Sequence, residues 1–352
     1  MARDRARETA GGPRVAGIEL AAGLVRAVVA RAEGGRLRVV GRGETALAAD
    51  AIAGGLVVEP GAVTSAVATA LAAAERGVPS DRTIIAIDGD DVRTYHVRTP
   101  FDREESATPI VRAEADRAVR EAREEAARVA QTAVADDPAL RGVATARLTD
   151  AVAALVLDGR DLDSIEGYHG RALEVHTDVA VAPLVLSGAA LATVAPRRRP
   201  TAVPGIYALA RLVAASGIAD AGVVRVGADV TALAIVRERR VVGTRVFGLG
   251  RDAFTAREDT RDEDARVWAE IVALPLNDNA QPPERWLFVG VPEALLALPN
   301  ALAKIVGEAR GGAARIGPLT PSVTSRVFSD VPLNAEDLIA AGAAALAAEV
   351  YT

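Results

Sequence analysis

The chain has 352 residues, 50% of them hydrophobic but only 3% aromatic, with no cysteine and a formal net charge of −6. That length admits two or three packed units, because single cores stop growing near ~250–300 residues, and the lack of cysteine excludes disulfides, thiolate nucleophiles and thiolate metal sites. The 41 basic residues, all arginine except Lys304, are interspersed with 47 acidic ones, a distribution that does not favour nucleic-acid binding.

The opening "MARDRARETAGGPR" is polar and has no apolar centre, so residues 1–14 are expected to be a disordered tail and not a signal peptide. Two apolar runs follow, Val15 to Leu20 and Leu24 to Ala30, with a third at Leu37 to Val40 after "EGG"; they predict a β-meander. Val63, Val67 and Leu71, spaced four apart, predict a helix over Pro60 to Glu75. "RTIIAIDGDDVRTYHVRT" reads as strand, turn, strand. Pro109 to Ala135 is a long charged helix with Arg117 and Glu121 at i, i+4, its charges a solvated face.

Strands return in "DAVAALVLDGRDLDSIEGYHGRALEVHTDVAVAP". The uncharged run Val179 to Ala195 sits at the lower limit for a membrane span, but Pro183, Ser187 and Gly188 make it a strand end followed by a soluble helix. "PRRRP" is expected to be a solvated loop. "GVVRVGADVTALAIV", Gly222 to Val236, is a hairpin whose Gly227 is expected at φ > 0, and "RVVGTRVFGLG" is its partner strand. One helix, "TRDEDARVWAEIVAL", is expected to turn Trp268 inward. "ERWLFVGVPEALLALPNALAKIVG" gives strand, glycine turn and helix with Lys304 in water, and "AEDLIAAGAAALAAE" is a closing helix. Strands and helices alternate in two blocks, each opening on a glycine hairpin, so the fold class is α/β with internal duplication.

Three histidines, His96, His169 and His176, lack HExxH spacing and leave little for a metal site or a serine-histidine-aspartate site; His169 and His176 read as ordinary surface or strand residues. No GxxxxGK[ST] phosphate loop is present.

This layout resembles the actin-like ATPase superfamily, a ribonuclease H-like duplicated fold, and within it most resembles the bacterial cell-division family FtsA, with the pilus-assembly family PilM second. Thr83 to Pro183 carries the likeness, in "IIAIDGDDV", "RAEADRAVREA" and "VLDGRDLDSIEGYHGRALEVHTDVAVAP" with its DG, G-x-x-G and LEV landmarks. The resemblance spans roughly Val15 to Ala348. It implies that 15–80 starts a first actin-like half and that 81–180 is an FtsA-type small insertion subdomain. It further implies that 181–220 completes the first half and crosses over, and that 221–352 is a second half with a shortened subdomain at 251–284.

The resemblance also implies where a nucleotide cleft would lie. The family's first phosphate hairpin carries Asp, Gly and Ser or Thr; here Glu19, Ala21 and Ala22 stand in those places, and only Gly23 loosens the turn. In the second hairpin the family's acid is replaced by Arg225, while Gly227, Asp229 and Thr231 remain. A nucleoside-binding glycine pair is reduced to Gly290, followed by Val291 and Pro292. A guanidinium is always charged and cannot bind magnesium. The expected cleft is therefore vestigial, built from Glu19, Gly23, Gly227, Asp229, Thr231 and Gly290, with ATP and magnesium bound at low affinity if at all, no catalytic residue and no metal site.

The function implied is a cytoplasmic scaffold in cell division or envelope assembly, with other division or envelope-assembly proteins as partners and self-association through the insertion subdomain. The interval that in FtsA receives the tail of FtsZ is short here, and the family's amphipathic membrane helix has no counterpart in the closing "AALAAEVYT", so no direct membrane segment is expected. A PilM-like adaptor of a type IV pilus or secretion machine is the alternative. From another class, a small-molecule kinase of the sugar-kinase branch would need a catalytic base and intact phosphate glycines, and Asp229 is the only acid on a retained turn.

Overall fold

In the computed structural model, which describes residues 12–254, 261–274, 281–329 and 333–349, the opening runs form a meander of β1 (Arg14–Ala21), β2 (Leu24–Glu33) and β3 (Arg36–Ala46). Gly23 takes φ 81 at the first turn, a conformation free of penalty only without a Cβ. Of the tail expected over 1–14, residues 1–11 lie outside the described residues, and Arg14 already belongs to β1. A short hairpin, β4 (Ile52–Ala53) and β5 (Leu56–Val57), leads into α1 (Pro60–Glu75), which starts on a proline suited to a first helical turn. Then come β6 (Arg82–Ile87), β7 (Arg93–Asp102), α2 (Arg112–Asp136), β8 (Thr145–Leu157), β9 (Arg160–Leu162) and β10 (Ala172–Pro183). The crossover holds α3 (Leu184–Ala192), β11 (Thr201–Pro204) and α4 (Gly205–Ala215). The second block is β12 (Ala221–Val226), β13 (Thr231–Arg237), β14 (Arg240–Phe247), α5 (Arg261–Ala273), β15 (Arg285–Val289), α6 (Ala297–Arg310), β16 (Arg315–Pro318) and α7 (Leu338–Glu349).

The duplication is visible in the strand order. The first sheet runs β11-β6-β1-β2-β3 and the second β16-β15-β12-β13-β14, each an antiparallel meander extended by two parallel strands. Strands of two to four residues carry too little periodicity to be read from sequence, so β4, β5, β11 and β16 were not anticipated. Residues 255–260 and 275–280 of the expected subdomain lie outside the described residues, as does Thr260 of its expected helix; α5 supplies that helix with Trp268 fully buried.

Alanine and glycine decide the packing. One core, between the two sheets, contains most of α4 and α7 together with Val15, Val28, Val223 and Ala232. A Cβ on Gly17 of β1 would lie 1.9 Å from the carbonyl oxygen of Ala340 in α7, and one on Gly342 of α7 would lie 2.5 Å from that of Ala208 in α4. Backbone thus meets backbone where larger side chains would hold the layers apart, which suits a sequence poor in aromatics. The outer faces of the sheets are covered by α1 and α3 on one half and by α5 and α6 on the other.

Between β6 and α3 the chain builds a separate sheet, β7-β10-β8-β9. Ala118, Ala122, Ala126 and Ala130, four apart on α2, are buried against one face with Leu173, Val175 and Val179 of β10. By the two-residue period of a strand, the opposite face carries Glu174, His176 and Asp178. His176 was expected to be an ordinary surface or strand residue; it lies on a strand but is buried, as is Asp178. Tyr207 of α4 donates its hydroxyl to Asp178 at 2.8 Å, and His96 of β7 meets the other Asp178 oxygen through Nδ1 at 2.7 Å. His96 Nε2 lies 3.0 Å from His176 Nδ1, and His176 Nε2 lies 3.4 Å from Glu174.

One buried carboxylate thus gathers the Tyr207 hydroxyl and the His96 ring, and His96 in turn meets His176. The other ring nitrogen, His176 Nε2, faces the Glu174 carboxylate at 3.4 Å. Burial, Arg240 of β14 and His96 all push the His176 imidazolium below the usual histidine range, with Glu174 opposing. Because the folded value lies below the unfolded one near ~6.5, its stability contribution is complete above that pH and is lost as pH falls through the folded value. Thermal unfolding of wild type and His176→Gln followed from about pH 7.5 to 5.5 should show the wild type losing more of its midpoint; parallel curves would remove His176 from the acid response.

Candidate functional site

The two hairpins face each other near the ends of β1 and β12, and each brings one charged side chain inward. Glu19 of β1 is 2% exposed, Arg225 of β12 is 8% exposed, and Asp88, the residue after β6, is 6% exposed. Arg225 donates from Nη2 to Glu19 Oε1 at 2.5 Å and from Nη1 to Asp88 Oδ2 at 3.5 Å. Arg26 of β2 adds a second guanidinium 3.7 Å from Glu19 Oε2.

Asp88 is also tied to the start of α4. Its Oδ1 accepts the Ile206 backbone N–H at 2.9 Å, satisfying one of the orphan donors of the first helical turn. A Cβ on Gly205 would lie 2.6 Å from Asp88 Oδ2, so only glycine lets the helix come this close. Burial pushes the Asp88 carboxyl up, and Arg225 with the N–H groups of Ile206 and Gly205 draws it partly back.

The glycine turn of the β4–β5 hairpin closes the same region. A Cβ on Gly55, which has φ 83, would meet the Asp88 carbonyl oxygen at 2.0 Å. Its neighbour Gly54 donates N–H to Asp229 Oδ2 at 2.7 Å, so the second hairpin is held to the first half twice.

The expected site residues are distributed as follows. Glu19 sits at the centre. Asp229 is at the rim, bonded to Gly54. Gly290 follows β15 directly with φ 78, and a Cβ there would lie 2.5 Å from the Val226 carbonyl oxygen. Gly23 stands at the tip of the first hairpin, its carbonyl accepting the Leu47 N–H at 2.8 Å. Gly227 corrects an expectation: its φ is not positive, and glycine is required there for space. A Cβ would lie 2.9 Å from the Val230 carbonyl oxygen and 3.2 Å from Arg225 Nη1, so this position gives the guanidinium room.

Thr231 is not brought to the cleft; its hydroxyl donates to the Leu249 carbonyl at 2.7 Å and accepts from the Trp268 indole at 3.0 Å, on the other side of the sheet. Asp88, Arg26, Gly54, Gly55 and Gly205 were not anticipated. The signal for Asp88 was present in "IIAIDGDD", an acid directly after an apolar parallel strand.

This arrangement does not fit a magnesium nucleotide. A hard divalent cation needs open oxygen ligands, whereas Glu19 and Asp88 are engaged by a guanidinium and helix N–H groups, and Arg225 already supplies the positive charge between them. Among the described residues no group of three or more histidine and acidic side chains could hold a metal ion.

No protein-family model matches the chain, and no curated protein matches its sequence. Solved structures match its fold. The PilM–PilN type IV pilus biogenesis complex aligns with 94% of this chain and 97% of that chain at 17% identity and a TM-score of 0.56. The ethanolamine utilization protein EutJ from Carboxydothermus hydrogenoformans aligns with 95% of this chain and 90% of that chain at 15% identity and a TM-score of 0.46. A Bacteroides thetaiotaomicron protein described as having an actin-like ATPase fold aligns with 88% of this chain and 92% of that chain at 10% identity and a TM-score of 0.46. The fold is the actin-like ATPase fold.

Replacing Arg225 by alanine leaves Asp88 without a cation and Glu19 with Arg26 alone, and is expected to cost about 3–5 kcal/mol in urea unfolding, whereas Glu19→Gln combined with Arg225→Met should cost less than the two single changes added together. A loss under about 1 kcal/mol for Arg225→Ala would mean that solvent reaches the cluster.

Proposed function

We propose that this chain is a non-hydrolysing scaffold of bacterial envelope assembly, an actin-like fold whose two halves are joined by Arg225 where relatives with intact motifs place a nucleotide and its metal. The observation that carries this reading is the Arg225 cluster with Glu19 and Asp88. A scaffold needs a fixed shape and exposed contact surfaces, and a buried ion cluster between halves supplies the first without a cofactor.

The finer reading is an adaptor that binds another protein of an assembly machine. It is supported by the full-length likeness to PilM, whose solved structure is a complex with PilN in type IV pilus biogenesis. A division role of the FtsA kind is the second reading, favoured by the motifs of the insertion segment between Thr83 and Pro183. The sugar-kinase reading loses support because Asp229, its only candidate base, is bonded to the Gly54 N–H. Partners and self-contacts are assigned to the insertion sheet, and no helix among the described residues is long and apolar enough to cross a membrane.

Calorimetry with ATP and magnesium is expected to give no binding at micromolar concentrations, and Arg225→Asp alone should not produce ATP hydrolysis, because the tight phosphate turns are also absent; each lost charge-assisted hydrogen bond removes ~1.5–3 kcal/mol. Micromolar affinity in the wild type would overturn the cofactor-free reading. The adaptor reading is tested separately, by replacing residues 93–183 with a short linker and following tagged protein in cells. Dispersal from its normal site is expected, and a folded truncation that stays at that site would remove the insertion sheet as the contact surface.

A further inference from the structure

At the end of β1 opposite Glu19, three chain turns are drawn together by one buried carboxylate. Glu75, the last residue of α1, accepts the Ser80 N–H at 2.7 Å and the Ser80 hydroxyl at 2.8 Å. It also accepts from Arg198 of the turn Pro196–Arg198, with Nη2 at 2.9 Å from Oε2, while the Glu75 carbonyl accepts from Arg14 at 2.9 Å. The end of α1, the start of β6 and the Pro196–Arg198 turn are therefore fixed side by side.

Each turn carries further arginine beside its anchor. Arg76 follows Glu75, Arg82 opens β6, and Arg197 and Arg199 flank Arg198. The side chains of these four make no hydrogen bond or ion pair among the described residues. The nearby acids are fewer or already paired: Glu75 is bound to Arg198, Glu44 and Asp337, which line one cavity with Arg76, are bound to Arg26 and Arg42, and Asp81 is the one carboxylate left beside Arg82. A chain of net charge −6 thus presents a strongly positive face at this end. Val78, between Arg76 and Arg82, is 45% exposed, and no aromatic residue lies in any of the three turns.

We propose that this arginine face is a peripheral docking surface for a bilayer of anionic lipid, with the guanidinium groups on lipid phosphates and Val78 at the headgroup boundary. Clusters of four or more cationic side chains are what anionic leaflets attract, and a guanidinium forks onto a phosphate with two parallel hydrogen bonds. An apolar side chain among the charges suits the region between headgroups and acyl chains. Single-stranded nucleic acid is disfavoured, because unpaired bases would find no aromatic ring to stack on. The inference goes beyond the scaffold reading and does not depend on it, since this surface is separate from both the cleft and the insertion sheet.

Sedimentation with vesicles tests it on the intact chain. Binding is expected to vesicles of equal parts phosphatidylcholine and phosphatidylglycerol at low salt, to be absent from pure phosphatidylcholine, and to disappear near ~0.5 M salt. Each arginine at an anionic surface contributes a factor of about five, so Arg197→Glu with Arg199→Glu should weaken binding at least tenfold. The control pair Arg120→Glu with Arg141→Glu, on the insertion subdomain and equal in net charge, should bind as the wild type does.

The proposal is overturned if the wild type ignores anionic vesicles at low salt, if it binds neutral vesicles equally well, or if both double variants lose binding alike. Binding of a DNA oligonucleotide that depends on Arg197 and Arg199, without vesicle binding, would assign the face to nucleic acid and overturn it too. Should the patch variant fail to fold, the wild-type comparison between lipids and salts still decides.

Discussion

Three charges that cannot reach water set the geometry of this molecule. Glu19, Asp88 and Arg225 come from β1, from the loop after β6 and from β12, so their pairing, with Arg26 of β2 as the second cation, spans both halves of the duplicated fold. Moving the halves apart would break both Arg225 contacts, leaving Glu19 with Arg26 and Asp88 with the first turn of α4. The nearby glycines follow from the same requirement. Gly205 lets the first turn of α4 approach Asp88, Gly55 lets the β4–β5 turn lie on the Asp88 backbone, and Gly227 leaves room for the guanidinium.

Around that cluster the fold is held by close backbone contact more than by large side chains. Gly17 and Gly342 allow β1, α7 and α4 to stack at distances that a methyl group would prevent. Dispersion between many small groups then does what a few aromatic rings do in other cores. The sheet β7-β10-β8-β9 is different: one face is an ordinary alanine and valine layer under α2, and the other is a row of polar groups made acceptable to burial only by bonding to one another and to Tyr207.

Much of the fold was legible because its signals are local. The meander, the bounds of α1, the long helix α2 and the inward Trp268 follow from periodicity, proline placement and glycine turns. The site was less legible, for two physical reasons. Arg225 is 206 residues from Glu19 and 137 from Asp88, and His96 is 80 from His176, so only the closed fold makes them neighbours. Strands buried on both faces also lose the alternation that tells one face from the other. β13 reads "TALAIVR", and nothing in that run says that Thr231 turns to Trp268 instead of to the cleft. Gly227 shows a third ambiguity, since a glycine needed for space and one needed for left-handed backbone look identical in a sequence.

Arg225 has a kinetic consequence. A ligand that joins two lobes from solution obeys mass action: its occupancy follows its concentration, and its arrival and departure can time a cycle. A side chain carried on β12 is present at a fixed and undiluted effective concentration, with no off-rate from the molecule. The contact Arg225 makes between the lobes therefore does not vary with the concentration of any solute.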